Sequence, residues 1–252
     1  MPAAPPLRTL AIDIGGTGVK ALVLDANGKP PTERQRIDTP HPATPAAILA
    51  AIAEVVKPLG AFDRISAGFP GVVKAGVVHT APNLDPAWAG FPLQKTLEKR
   101  LGKPARVLND AGVQGYGLVS GHGVEMVLTL GTGLGCALFL DGHYVPNLEL
   151  AHHPFRKEMT YEDYVGAPAL HQIGKKKWNK RVLRVLEQIQ PIWNPDRIYL
   201  GGGNTKHLTV ELPKHVKKCE NVAGLLGGIA LWHDQEAPGP VAHGEGRARR
   251  PR

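Results

Sequence analysis

Cysteine is scarce in this sequence, and long hydrophobic runs are missing. The two cysteines, Cys136 and Cys219, are too few for a disulfide framework or a four-cysteine zinc site. No stretch of about 18 apolar residues occurs, so the sequence predicts no transmembrane helix. Residues 1–6 are rich in proline and alanine and lack the charged start and apolar core of a signal peptide. We therefore expect a cytoplasmic protein with no membrane partner.

The length and the net charge of the chain limit the size of its core and the kinds of partner it favours. The chain has 252 residues, of which 42% are hydrophobic, enough for one large core or two modest ones. Its formal net charge of +8 favours polyanionic partners but identifies none of them. A basic surface with a basic tail would explain the charge equally well. Such a tail is predicted at residues 236–252, where proline, glycine and arginine dominate and disorder is expected.

Residues 10–20, which read LAIDIGGTGVK, combine an apolar run with a glycine-rich turn. The run predicts a buried strand that contains a carboxylate, and an unpaired charge there would be costly. Backbone N–H groups of a glycine turn can point at phosphate oxygens. Residues 21–28 predict a returning strand closed by Asn-Gly, so a plain tight hairpin fits the stretch about equally well. The candidate phosphate-binding residues are Asp13, Gly15, Gly16, Thr17 and Lys20.

The second half of the chain repeats this pattern. Residues 124–130 predict a strand, residues 131–135 form a glycine turn, and residues 136–142 predict a returning strand. Two hairpins of one design indicate two similar α/β lobes that face each other across a cleft, each with a phosphate-binding turn. The second turn adds the candidates Gly131, Thr132 and Gly133.

Asn109 and Asp110 follow an apolar strand and form the candidate catalytic pair. Ligands of open α/β sheets bind at the carboxyl ends of strands. Phosphoryl transfer to an alcohol needs a carboxylate that accepts the hydroxyl proton, and an amide can bind neighbouring hydroxyls. For an isolated Asn-Asp pair, a turn that caps the next helix is the more common explanation.

Glu149 and His152 form a second polar cluster, three residues apart and able to share one side of a helical turn. A carboxylate and an imidazole can bind the vicinal hydroxyls of a sugar. They could also ligate a metal, but no well-spaced third ligand accompanies them.

Residues 174–184 predict a helix with a row of cations, Lys176, Lys180 and Arg184, on one face. Such a row suits a linear polyanion, although most basic helix faces are simply solvated. Nucleic acid is not expected as a partner, because neither stacking aromatics nor a groove-binding motif accompanies the row.

Taken in order, these stretches resemble the ROK family of sugar kinases and repressors, and within it the polyphosphate glucokinase branch. The resemblance spans residues 10–204 and is carried by DIGGT at 13–17, GFPG at 68–71, APNLDPAW at 81–88, LNDA at 108–111 and LTLGTGLG at 128–135. It implies the two-lobed α/β fold of actin-like, ribonuclease H-like ATPases with a central cleft. It also implies a homodimer.

The resemblance implies roles for individual residues. Asp110 would be the catalytic base beside Asn109, and Asp13 would act near Mg²⁺ and the transferring phosphate. Glu149 and His152 would bind the sugar in a motif where Ala151 replaces the usual glycine. The Cys-rich zinc motif of many ROK proteins is absent, as it is in the polyphosphate glucokinase branch. The other implied contacts are Asn83 and Glu162 with the sugar, Lys176 and Lys180 with phosphate, and Gly201, Gly202 and Gly203 with a nucleotide.

The sequence therefore predicts a phosphotransferase that moves a phosphoryl group from polyphosphate, ATP or both to the 6-hydroxyl of glucose, with Mg²⁺ as cofactor. The alternatives are an ATP-dependent hexokinase for another sugar and a non-catalytic ROK-type sugar-sensing regulator. Such regulators normally carry an N-terminal helix-turn-helix, and few residues precede the first predicted strand. We predict lobes at residues 1–110 and 111–235. The preferred hexose and the physiological donor stay open.

Overall fold

The computed structural model describes residues 7–219 and 223–232. The first half of the chain contributes strands β1 (Thr9–Ile14), β2 (Val19–Leu24), β3 (Gln35–Ile37), β4 (Arg64–Phe69), β5 (Val73–Lys74), β6 (Val77–Val78) and β7 (Ala105–Asn109). One sheet has the order β3-β2-β1-β4-β7, and β5 and β6 form a separate ribbon. β2 runs antiparallel to β1, whereas β4 and β7 extend the sheet in parallel.

The second half of the chain repeats this topology. Its strands are β8 (Val124–Leu130), β9 (Leu134–Leu140), β10 (His143–Val145), β11 (Pro154–Arg156), β12 (Met159–Thr160), β13 (Arg197–Gly201) and β14 (Val216–Lys218). The second sheet has the order β10-β9-β8-β13-β14, with β9 antiparallel to β8 and with β13 and β14 parallel to it. The predicted duplication is confirmed, and it extends beyond the hairpin to a five-stranded sheet in each half.

Helices pack around and between the sheets. They are α1 (Pro45–Val56), α2 (Leu93–Leu101), α3 (Asp110–Tyr116), α4 (Tyr161–Val165), α5 (Ala167–Trp193) and α6 (Ala223–Ala230). Short 3₁₀ helices occur at Lys57–Leu59, Pro86–Trp88, Leu150–His152 and Gly203–His207. In the part of the chain that the structure describes, no helix combines the length and the hydropathy needed to cross a membrane.

Helix α1 packs against β2 and completes the core of the first lobe. Thr44 caps its start, because the Thr44 hydroxyl accepts a hydrogen bond from the Ala47 amide. Ile48, Ile52 and Val55 lie on one face of the helix and are buried. The 3₁₀ helix Lys57–Leu59 follows α1 directly.

Helix α5 dominates the second lobe and is broken near its start. Gly174 has a φ of 74°, a left-handed conformation that glycine adopts readily, and it separates a short first segment from a longer second one. Trp178 in the second segment is fully buried, and its Nε1 donates a hydrogen bond to the carbonyl of Val165 at 2.8 Å. The tryptophan therefore fixes α5 against the end of α4.

Helix α3 lies between the two sheets, and α6 returns to the first sheet. α3 packs against β4, β8 and β9, while α6 packs against α3 and β1. Ser66 of β4 donates a hydrogen bond to the carbonyl of Gly228, and the guanidinium groups of Arg64 and Arg106 lie over the Trp232 ring. The lobe boundary after residue 110 stays a prediction, and the tail at 236–252 lies outside the described residues.

Candidate active site

A cavity of about 570 Å³ lies between the two sheets. The carboxyl ends of the parallel strands β4 and β7 open into it, as expected for a ligand site in an α/β fold. The turns between β1 and β2 and between β8 and β9 approach it from the two lobes. These turns contribute Gly15, Gly16, Thr17, Gly131, Thr132 and Gly133 to the lining.

The first turn is held by an ion pair and a threonine. Asp13 and Lys20 face each other across β1 and β2, and their Oδ2 and Nζ atoms are 2.7 Å apart. This ion pair with Lys20 offsets the free-energy cost of placing the Asp13 carboxylate within an apolar strand. Gly15 donates from its amide to the Gly18 carbonyl, and the buried Thr39 hydroxyl donates to the Gly15 carbonyl. The turn is therefore pre-shaped without a ligand.

The second turn is braced from two sides. Asn204 Nδ2 donates to the Gly131 carbonyl at 2.7 Å, and Glu162 Oε2 accepts from the Leu134 amide at 3.0 Å. A Cβ added at Gly133 would collide with Glu162 Oε2. A larger residue at this position would displace the Glu162 carboxylate from the turn.

Asn109 and Asp110 have distinct positions at the end of β7. The Asn109 side chain caps α3, because its Oδ1 accepts hydrogen bonds from the amides of Ala111 and Gly112. The helix cap weighed from the sequence is therefore present, although Asn109 also lines the cavity. Asp110 lines it as well, and its Oδ1 accepts from the Ala111 amide at 2.8 Å.

Electrostatics set Asp110 apart from an ordinary carboxylate. Desolvation, followed by the charge of Asp13, raises the pKa of Asp110 to about 7. Glu149 acts in the same direction, whereas Lys20 and the Ala111 amide oppose the shift. A carboxyl group with a pKa near neutrality is suited to accept a proton under physiological conditions.

The predicted sugar contacts gather in the same cavity. Glu149 precedes the 3₁₀ turn Leu150–His152, and its Oε2 lies 3.6 Å from His152 Nε2. Desolvation raises the pKa of Glu149 above its usual value, and His152 opposes that shift. Asn83 lies beside Gly16, where an added Cβ would be 3.6 Å from the Cβ of Asn83. All four predicted sugar residues outside β7 line the cavity: Asn83, Glu149, His152 and Glu162.

The basic row on α5 lies elsewhere. Lys176 and Lys180 are exposed on the second segment of α5, and neither contributes to the cavity lining. Arg184, the third member, pairs with Glu187 at 3.1 Å. The row is helical as predicted, but it lies apart from the phosphate turns.

The third glycine turn is only partly in the cavity. Gly201 ends β13 and is not among the lining residues, whereas Gly202 and Gly203 are. Sequence reasoning overlooked several polar lining residues, among them Arg36 and His171. Arg36 pairs with Lys20 across β2 and β3, a register that a hairpin pattern could have indicated. For His171 the sequence offered no such signal.

The carboxylates allow a magnesium site but not a cage of protein ligands. Among the described residues no group of three or more His, Cys, Asp and Glu side chains could hold a metal ion. Magnesium usually binds one or two carboxylates together with substrate phosphates and water. Asp13 and Asp110 both line the cavity between the phosphate turns, so the donor set fits that mode of binding.

Two known proteins resemble this chain over most of its length. The chain is 35% identical over 233 residues to the polyphosphate glucokinase of Mycobacterium tuberculosis, covering 86% of this chain and 88% of that one. The solved inorganic polyphosphate/ATP-glucomannokinase of Arthrobacter sp. strain KM superposes with a TM-score of 0.81 at 32% identity, covering 91% and 100% of the two chains.

A second solved structure extends the likeness in fold alone. The ROK family glucokinase of Streptomyces griseus, in complex with glucose and AMPPNP, has a TM-score of 0.70 at 23% identity, with 89% and 98% of the chains covered. The two-lobed actin-like fold expected from the resemblance is thereby confirmed. Residues 9–147 match the ROK family, and with the relatives above this shows that the chain is a member of the ROK family.

Proposed function

We propose that this protein transfers a phosphoryl group from polyphosphate, and also from ATP, to the 6-hydroxyl of glucose. One observation carries the proposal: Asp110, a carboxyl group with a pKa of about 7, lines a cavity that also contains two glycine phosphate turns. Similarity to a polyphosphate glucokinase and to a polyphosphate/ATP-glucomannokinase supports the choice of donor and acceptor.

In the proposed reaction Asp110 accepts the proton of the 6-hydroxyl as that oxygen attacks the terminal phosphorus. The bond between this phosphorus and the bridging oxygen breaks, and the shortened polyphosphate, or ADP, leaves with the electron pair. The amides of Gly15 and Gly131 are hydrogen-bonded within their turns, so the other amides of the two turns offer donors to the phosphate oxygens, and Thr17 adds a hydroxyl. Lys20 offsets negative charge next to Asp13.

The sugar would be oriented by groups that surround Asp110. Glu149 and His152 are spaced to bind vicinal hydroxyls, with Glu162 and Asn83 on neighbouring walls of the cavity. The Asn109 side chain is partly engaged by α3 through Oδ1, and its Nδ2 donates to the Gly71 carbonyl at 3.3 Å. Asn109 therefore contributes mainly by holding Asp110 at the start of α3.

Mg²⁺ is the proposed cofactor, and Asp13 is its proposed protein ligand. When bound, the ion would neutralise charge on the phosphates. Gly202 and Gly203 are the proposed nucleotide contacts when ATP is the donor. A homodimer and a cytoplasmic location stay predictions, and no nucleic-acid partner is proposed.

A coupled assay for glucose 6-phosphate, with polyphosphate or ATP as donor, tests the proposal. Wild-type protein should be active, and Asp110→Asn should retain less than about 1% of kcat while still binding glucose, because general-base catalysis contributes a factor of about 10² to 10⁴. The control is Glu211→Gln, which removes an exposed carboxylate outside the cavity lining. Glucose binding without turnover in wild-type protein would favour the sugar-sensing alternative and contradict the proposal.

A further inference from the structure

Two elements lead out of the cavity and end in basic residues. The first segment of α5 begins with Ala167 and His171 in the lining and reaches Lys175 just after the break at Gly174. The 3₁₀ helix Gly203–His207 begins with Gly203 and Asn204 in the lining and ends in Lys206 and His207. Both elements thus run from the phosphate turns to a basic rim on the second lobe. We name this rim the rim cluster and define it as His171, Lys175, Lys206 and His207.

A buried asparagine fixes the two elements side by side. Asn179 is 1% exposed, and its Nδ2 donates to the carbonyls of both Lys175 and His207, at 2.8 and 2.9 Å. Its Oδ1 accepts from the Thr209 amide at 2.8 Å. Because one amide nitrogen binds both carbonyls, the backbones of Lys175 and His207 are held together whether or not a ligand is present.

The positive charge of the rim cluster is not neutralised by any salt bridge within the described residues. No member of the rim cluster forms a salt bridge there, and Lys175 and Lys206 are both exposed. Desolvation, followed by the charges of Lys175 and Lys206, lowers the pKa of His207. Like charges held close together by the fold repel one another, and an anion placed between them removes that repulsion.

The rim also continues a line of phosphate-binding groups. Asn204, at the start of the 3₁₀ helix, is hydrogen-bonded to Gly131 of the second phosphate turn. The third glycine turn and His171 of the rim cluster line the same cavity as Asp110 and the two phosphate turns, so a chain of phosphates in the cavity has a continuous route to the rim. Lys175, Lys206 and His207 lie outside the cavity lining, so a donor short enough to stay within the cavity does not contact them.

We propose that the rim cluster binds the distal phosphates of a long polyphosphate donor. This inference rests on the proposed function, and it assigns the donor track to Lys175 and Lys206 instead of to the Lys176 and Lys180 row. The cluster gives the enzyme a preference for long chains over tripolyphosphate, because only a long polyanion contacts the catalytic cavity and the rim at once. It contributes little for ATP, whose adenosine carries no charge.

The test compares three double variants with the same charge change. Lys175→Gln/Lys206→Gln removes two rim cations, Lys176→Gln/Lys180→Gln removes the competing row, and Lys95→Gln/Lys99→Gln removes exposed charges from α2 in the other lobe. For each variant kcat and KM are measured with long polyphosphate, tripolyphosphate and ATP over a range of KCl concentrations.

The rim variant should raise KM for long polyphosphate about tenfold, since each exposed charge contact contributes a factor of about three. KM for tripolyphosphate and ATP should change less than about twofold, and the slope of log KM against log [KCl] for the long donor should fall by about 1.4, or 0.7 for each lost contact. Lys175→Arg/Lys206→Arg should restore the wild-type values. Retained kcat with tripolyphosphate shows that the variant is folded.

Three outcomes would overturn the inference. An equal rise of KM for all donors would make the rim a general electrostatic feature. A larger effect of the Lys176 and Lys180 variant would place the track on the α5 row. A change in KM for long polyphosphate no larger than that of the Lys95 and Lys99 control would show that the rim does not bind the donor. Wild-type protein that uses ATP but not polyphosphate would instead refute the polyphosphate part of the proposed function, and the inference with it.

Discussion

Replacing Asp110 by asparagine should stabilise the fold, and most strongly at alkaline pH. The pKa of this carboxyl is about 7 in the folded protein, against 3.8 for an unperturbed aspartate. Because the folded state binds the proton more tightly, wild-type stability is lost as pH rises from the unfolded value through the folded one. About three pKa units at about 1.4 kcal/mol each correspond to a loss of about 4 kcal/mol by about pH 8.

The neutral amide of Asp110→Asn avoids this loss, since it keeps the size of the side chain and has no charge to desolvate. The two proteins should differ little in stability near pH 4. At about pH 8 the variant should be more stable by as much as about 4 kcal/mol, and most of the difference should develop between pH 5 and 7.

Urea unfolding of both proteins at several pH values measures this difference directly. Glu211→Gln serves as control, because an exposed carboxylate should give parallel stability curves. Parallel curves for wild type and Asp110→Asn would mean that Asp110 is ionised at little cost, and the argument for a base with a neutral pKa would fail. A variant that is inactive and also less stable at every pH would point to a structural role.

Three further outcomes follow from the same site. In wild-type protein kcat/KM should fall about tenfold per pH unit below pH 7, because Asp110 must be ionised; a flat profile down to pH 5 would contradict its role as base. Asp13→Ala should abolish activity in a folded protein that excess Mg²⁺ does not rescue, and its loss of charge should lower the pKa of Asp110 in a direct titration; normal kinetics would move the proposed metal site elsewhere. Thr39→Val removes the hydrogen bond to the Gly15 carbonyl, so it should cost about 1 kcal/mol in unfolding free energy and raise KM for both donors; an unchanged KM would show that the turn keeps its shape without Thr39.

The parts of the fold that repeat along the sequence could be predicted well. A strand, a glycine turn and a returning strand can be recognised from local composition, and residues 10–28 and 124–142 both carry this signal. The position of Asp110 at the end of a parallel strand follows from the same pattern. These predictions succeeded because periodicity and turn chemistry are local properties.

The rim of the site could not be predicted in this way. The cations of residues 174–184 look like one helical row, but the break at Gly174 separates His171, which lines the cavity, from Lys176 and Lys180, which do not. The approach of the Gly203–His207 turn depends on Asn179, a polar residue buried by tertiary packing. A single sequence carries no local signal for such contacts between distant segments.

Asn109 shows a second limit of prediction from the sequence. Its sequence context suggested either a ligand contact or a helix cap, and the structure contains the cap at a residue that also faces the cavity. Local chemistry could state both alternatives but could not show that the capping residue also lines the cavity.

The return of α6 to the first sheet has a consequence for how the chain matures. Ser66 and Ala11 of the first sheet pack closely against Gly228, where an added Cβ would lie 3.3 and 3.2 Å from their Cβ atoms. During synthesis this face of the sheet stays uncovered by α6 until residue 232 has left the ribosome, because α6 follows all strands of both sheets along the chain. The first sheet should therefore complete its packing only after the second sheet has been made, and a nascent chain stalled before residue 223 should remain sensitive to protease around β1 and β4 even though every strand of that sheet has already emerged.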